Sequence, residues 1–285
     1  MNTKIQPSTF LAAGTDMDKA RFLLLGVPLD ITVSFRPGTR RGPEAIRQMS
    51  WVLEEFSLYQ ERDLSEVPFV DMGDLALPAG GVERSLNAIE TAVGELAQGG
   101  KIPFLFGGEH LLTWPAVRAL AAVYGSDLTI LQFDAHADLR TEYEGEQLSH
   151  ATVMRHLASV VSPSNIYQFG IRSATAEELA YGQNNTNFYP FQVLEPLKKI
   201  RPALYNRPVY VSLDMDVFDP AFAPGVGTPE PGGQSVAAML AALELLQGLN
   251  IVGADIVEVC PPFDPSERTA ALAALLVREL LLRWN

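Results

Sequence analysis

Short apolar runs recur along the chain with amphipathic stretches between them, and this alternation constrains the fold more than any other feature. The runs Phe22–Gly26, Ile102–Phe106, Leu128–Phe133, Ile166–Phe169, Pro208–Leu213 and Ile251–Val257 are mostly dense in Val, Ile, Leu and Phe and not strictly alternating. That is the pattern of strands buried on both faces of a parallel sheet. Helical patterns cover Pro43–Glu55, Glu83–Ala97, Leu111–Tyr124, Ala176–Gly182, Ser235–Leu246 and Glu267–Arg283. Strands interleaved with helices predict βαβ crossovers, and so a single three-layer α/β/α domain with a mostly parallel sheet. No Ser/Gly-rich linker, low-complexity tract or repeat interrupts residues 1–285, which are read as one domain.

Composition excludes several classes. With 47% hydrophobic residues the chain can bury a large core, and general disorder is out. The net charge of −13 repels phosphate backbones, so nucleic acid and anionic membrane are poor partners. No stretch reaches about 18 consecutive apolar residues, so no transmembrane helix is expected. The opening Met1-Asn2-Thr3-Lys4 is not followed by the apolar core of a signal peptide. One cysteine, Cys260, cannot staple a domain, and it reads as a small buried filler. A soluble, cytoplasmic setting is expected.

In such sheets ligands bind beyond the carboxyl ends of the strands, and here those ends carry metal-ligand chemistry. Gly107-Gly108-Glu109-His110 follows one run, Asp134-Ala135-His136-Ala137-Asp138 a second, Asp214-Met215-Asp216 a third, and Glu258 a fourth. In extended backbone residues two apart point to the same side, so Asp134, His136 and Asp138 converge, as do Asp214 and Asp216. An isolated Asp-x-Asp at a strand end is commonly a turn or a helix cap. Four aspartates and two histidines together exceed the needs of one ion, and two metals sharing carboxylates account for the number. His156 reads as structural or solvated. The glycines carry no nucleotide: Gly225-Val226-Gly227-Thr228 is followed by Glu230 where G-x-G-x-x-G needs glycine, and no G-x-x-x-x-G-K-[ST] occurs.

These residues resemble the ureohydrolase family of arginases and agmatinases. The likeness rests on Gly-Gly-Glu-His at 107–110, Asp-Ala-His-Ala-Asp at 134–138 and Ser-Leu-Asp-Met-Asp-Val-Phe-Asp-Pro-Ala-Phe-Ala-Pro-Gly at 212–225, with Gly227-Thr228-Pro229 and Asp255-Ile256-Val257-Glu258. It runs from about residue 20 to the C-terminus. Within the family the chain is most similar to the bacterial agmatinases, through Leu139-Arg140, Tyr143-Glu144-Gly145-Glu146 and Ser149-His150-Ala151-Thr152. The resemblance implies two Mn²⁺ per chain, His110 and Asp138 holding one, His136 and Asp216 the other, Asp134 and Asp214 bridging; the donor set also admits Ni²⁺, Zn²⁺, Fe²⁺ or Co²⁺. It implies hydrolysis of agmatine to putrescine and urea by a metal-bridging hydroxide that attacks the guanidinium carbon. Asp138 would relay a proton, His150 would exchange protons with solvent, Glu258 would orient the guanidinium and Thr228 would support it. A homo-oligomer, trimer or hexamer, is implied as well.

Two positions bear on the substrate. By resemblance, arginases place an Asn where this chain has Arg140, and an Asp where it has Thr175, to hold the amino-acid head of arginine. Their absence points to a small cationic guanidino substrate such as agmatine. Arg140 suits a carboxylate and keeps guanidinobutyrate as the alternative. Glu109 and Leu111 also depart from the commoner Asp and Ser beside the ligand histidine.

Overall fold

The computed structural model describes residues 9–285, so the reading of residues 1–4 lies outside the described chain. Eight strands form one sheet: β1 (Phe22–Gly26), β2 (Phe69–Asp74), β3 (Ile102–Phe106), β4 (Thr129–Phe133), β5 (Ile166–Ile171), β6 (Asn187–Pro190), β7 (Pro208–Asp214) and β8 (Asn250–Val257). Their spatial order is β2-β1-β3-β8-β7-β4-β5-β6, and every pairing is parallel. Between them run α1 (Gly42–Ser50), α2 (Val82–Gln98), α3 (Thr113–Tyr124), α4 (Val153–Leu157), α5 (Ala176–Asn185), α6 (Leu194–Leu204), α7 (Val236–Glu244) and α8 (Arg268–Trp284).

Alternation along the strands splits the core in two. Phe104, Phe106, Leu131, Phe133, Val209, Val211 and Leu213 face α1, α6, α7 and α8. Leu105, Ile130, Tyr210 and Val252 face the opposite side, with α2, α3 and α4. Each central strand therefore needs apolar residues at both parities, which is why it reads as a continuous run. The C-terminal helix α8 packs into the first of these cores, with Phe104 against Trp284. A short hairpin (Phe56–Ser57 with Arg62–Asp63) covers its outer side, where Ser57 and Gln60 donate to the buried Glu279 carboxylate. Among the described residues no helix is long and apolar enough to cross a membrane.

The six anticipated strands and six anticipated helices form with ends shifted by a few residues, the largest change being α1, which stops at Ser50 rather than Glu55. The edge strands β2 and β6 and the helix α6 were not anticipated. β2 carries Asp71 and Asp74, tolerated because Asp71 is buried against Arg47 of α1 at 2.8 Å. α6 contains Pro196 and an interior Pro202, residues that argue against a helix when read alone.

Candidate functional site

The ends of β3, β8, β7 and β4, adjacent in that order at the centre of the sheet, deliver the chemistry. Beyond β3 the backbone turns through Gly107 (φ 24°) and Gly108 (φ 36°). A Cβ on Gly108 would collide with the Val27 and Leu29 carbonyl oxygens, so only glycine lets the chain pass here and drop His110 into the site. Beyond β4 the backbone bends at Ala135, makes a single parallel bridge between His136 and Ser173, and then enters the left-handed region at Asp138 (φ 54°). This last bend, rather than strand alternation alone, aims the third acid. Asp214 caps the short 3₁₀ turn Met215–Val217, its Oδ1 accepting the Asp216 amide at 2.9 Å. The cap and the ligand-type cluster are thus the same residues. Glu258 also takes a positive φ, 66°, and its Oε1 accepts the His110 amide at 2.8 Å.

A buried relay sets the ring of His110. Ser212 on β7 and Asp255 on β8 are fully buried, and Ser212 Oγ donates to Asp255 Oδ1 at 2.7 Å. That oxygen has its proton committed to the carboxylate, so it accepts from His110 Nε2 at 2.9 Å. Nδ1 is left facing Asp134 Oδ2 and Asp138 Oδ2 at 3.0 Å and Asp214 Oδ2 at 3.4 Å, buried and without a hydrogen bond. Opposite, His136 Nδ1 lies 2.7 Å from Asp216 Oδ2 and 3.7 Å from Asp134 Oδ1. Gln132 donates to Asp134 Oδ2 at 2.7 Å.

The electrostatics are costly for protein groups by themselves. Burial, then Asp216 and Asp138, push Asp134 up to about 7. Burial, Asp216 and Asp134 push Asp214 well above the carboxylate range, and burial pushes Glu258 up to about 8. For Asp216 burial is outweighed by His136, which brings it to about 2. Burial alone would lower His110 and His136, but the surrounding carboxylates hold both well above the usual imidazole value. An unbonded buried imidazole nitrogen aimed into clustered carboxylates is what cations resolve. Two ligand groups share one residue, His110 with Asp134 and Asp138, and Asp134 with His136 and Asp216. A binuclear metal-binding site is present.

All the anticipated site residues except the deeper Asp134 line one cavity of about 270 Å³. At its mouth, His150 Nδ1 lies 2.9 Å from the Thr32 carbonyl oxygen. Arg140 stacks on Tyr143 at 4.9 Å, with its Nε 3.7 Å from Glu178 Oε2. Thr175 caps α5, accepting the Glu178 amide, while the Glu178 carboxylate accepts the Thr175 and Leu139 amides. Thr32, Ser34, Glu178, Ser212 and Asp255 were not assigned from sequence. Glu178 had a signal, the Thr175-x-x-Glu178 spacing of a capping box, and Asp255 another, an acid inside an apolar strand. His156 is structural, stacking near Trp114 at 4.9 Å and meeting the Gln147 carbonyl. Cys260 is buried and its thiol is pushed up to about 12, so it is no nucleophile.

The model of the arginase family matches residues 20–283. The chain belongs to the arginase family. Among arginase-family relatives, the agmatinase of Bacillus subtilis is 47% identical over 276 residues, 96% of this chain and 95% of that protein. The N(1)-aminopropylagmatine ureohydrolase of Thermococcus kodakarensis is 38% identical over 265 residues, 89% and 88% of the two chains. The crystal structure of the agmatine ureohydrolase of Thermoplasma volcanium superposes with a TM-score of 0.88 at 33% identity, covering 98% of this chain and 94% of that one. This member of the arginase family is a ureohydrolase with a binuclear metal-binding site.

Proposed function

We propose that this chain is an agmatinase that hydrolyses agmatine to putrescine and urea with two Mn²⁺, and that it serves putrescine formation as a homo-oligomer. His110 and Asp138 would hold one ion and His136 and Asp216 the other, with Asp134 and Asp214 between them. An oxygen-rich set with two imidazoles suits a fairly hard divalent metal. The ions supply Lewis acidity, which lowers the pKa of water enough for attack near neutral pH.

The chain's own groups do the rest. Glu258, buried at the cavity wall, pairs with the guanidinium and turns its carbon toward the aspartates; the cation in turn keeps this carboxylate ionised despite its raised pKa. Thr228 lines the same wall and supports the guanidinium. Addition of water to that carbon and loss of the amine break one C–N bond, and the leaving amine needs a proton. Asp138 takes it from the attacking water and returns it to that amine, while His150 exchanges protons between the cavity and solvent.

The observation that carries agmatine over arginine is the fate of the two head-group positions. Thr175 is spent in the α5 cap, and Arg140 is engaged by Tyr143 and Glu178. Agmatine keeps the amine of arginine and lacks only its α-carboxylate, so the discriminating group is Arg140, which would receive that carboxylate and is held instead by Glu178 and Tyr143. The likeness to agmatinases supports the same choice. Arg140 also gives the second reading its basis: released from Glu178, it would recognise the carboxylate of guanidinobutyrate.

Urea release by Mn²⁺-loaded protein on agmatine, arginine, guanidinobutyrate and guanidine, compared side by side, tests this. Agmatine is expected to dominate, with two ions per chain and no activity in Asp134→Asn. Preference for guanidinobutyrate overturns the substrate and keeps the chemistry. One ion per chain, as in a deacetylase-like amide hydrolase, or no urea from any compound, overturns the mechanism.

A further inference from the structure

Glu109 has no exposed surface and carries no cationic partner among the described residues. Its carboxylate is instead wrapped by one loop. Oε1 accepts the Ile31 amide at 2.9 Å and Oε2 the Thr32 amide at 2.9 Å, and the Thr32 hydroxyl donates to Oε2 at 2.5 Å. The Glu109 amide donates to the Leu29 carbonyl at 2.8 Å, so backbone and side chain of one residue grip residues 29–32.

The gripped loop holds His150. The Thr32 hydroxyl, its proton given to Glu109, accepts the His150 amide at 3.1 Å. The Thr32 carbonyl lies 2.9 Å from His150 Nδ1. A carbonyl only accepts, so Nδ1 carries the proton and Nε2 is left toward the cavity, 3.5 Å from Ser34 Oγ. We infer that Glu109 is a positioning residue for His150, acting through Thr32 to fix which ring nitrogen faces the substrate cavity. The inference rests on the role proposed above for His150, and it gives the departure from Asp at position 109 a function.

The test reads the ring ¹⁵N resonances of His150 in the full chain loaded with diamagnetic Mg²⁺, alongside urea release from agmatine with Mn²⁺. The parent is expected to show the Nδ1–H form. Glu109→Gln and Thr32→Val are expected to give mixed or averaged shifts, with kcat lowered about tenfold or more and KM held within about twofold. Glu109→Gln should add nothing to the loss in His150→Asn, and Thr32→Ser should keep the parent's shifts and rate. Unchanged His150 shifts in both variants overturn the inference, as do losses that multiply with His150→Asn. Loss of metal from Glu109→Gln with His150 undisturbed assigns Glu109 to its neighbour His110 and overturns it too. Full kcat in His150→Asn defeats the catalytic role of His150, and the ¹⁵N shifts then decide the positioning separately. Should Glu109→Gln fail to fold, Thr32→Val decides on both readouts.

Discussion

Replacing Ser212 by Ala removes one oxygen from the buried relay between Asp255 and His110. Two hydrogen bonds go, the 2.9 Å contact with His110 Nε2 and the 2.7 Å contact with Asp255 Oδ1. Asp255 keeps Thr113 and Tyr210 as donors to its other oxygen, so its loss is partial. The His110 Nε2–H is left buried without an acceptor, a penalty of about 1–3 kcal/mol, and the lost bond to a charged carboxylate adds about 1.5–3 kcal/mol at most. The chain should therefore lose roughly 2.5–6 kcal/mol in urea denaturation. The ring of His110 is no longer held in the form that leaves Nδ1 open, and metal affinity should fall about 10–100-fold. The loss should fall on one ion of the two, because His136 sits outside this relay. Mn²⁺ titration against a chelating dye resolves the two affinities. Equal weakening of both ions, or affinities within about twofold of the parent, would refute the assignment of Ser212 as the acceptor that orients His110.

Three further outcomes follow from the geometry. Gly108→Ala drives a methyl into the Val27 carbonyl oxygen at a positive φ, and should cost about 2–4 kcal/mol in thermal or urea unfolding; a neutral substitution would show that the turn relaxes freely. Arg47→Met strands the buried Asp71 carboxylate at the β2 edge and should destabilise by about 3–5 kcal/mol, read from the denaturation midpoint. The chelated chain should lose stability as pH rises from about 4.5 to 8: Asp134 near 7 and Glu258 near 8, with Asp214 also raised, bind protons more tightly folded than unfolded, at up to about 1.4 kcal/mol per pH unit for each group. His110 and His136 act in the same direction, since their raised values stabilise below the unfolded imidazole pKa and the gain is lost on deprotonation. Divalent ions replace those protons, so the stabilisation they give should grow with pH; a chelated chain most stable at the alkaline end contradicts this.

The central strands and the ligand cluster were legible because β3, β4, β7 and β8 are buried on both faces and so are mostly apolar, with Gln132, Ser212 and Asp255 as buried exceptions beside the site. The edges were not. β6 is only half-buried along its length, so its residues face no uniform demand, and β2 hides its acid against an arginine from α1. Within the site, the sets Asp134–His136–Asp138 and Asp214–Asp216 were readable from spacing, but the aim of Asp138 depends on its own left-handed backbone and that of Asp214 and Asp216 on the cap between them. Thr32 was invisible because its contribution is mainly a backbone carbonyl and a hydroxyl brought 118 positions along the chain to His150.

The strand order has a consequence for how the molecule is made. β8 is the last strand in the chain, yet it lies between β3 and β7 at the middle of the sheet. Until it is synthesised, the chain holds two partial sheets, β2-β1-β3 and β7-β4-β5-β6, each with a long apolar edge open to mispairing. His110 belongs to one part and the aspartates of β4 and β7 to the other, so an ion bound by both is bound only by a finished sheet. Contacts this distant in sequence close slowly. Nascent chains stalled before Asn250 should therefore depend on chaperones, and uptake of the ion that His110 helps to hold should mark the moment when the two halves become one.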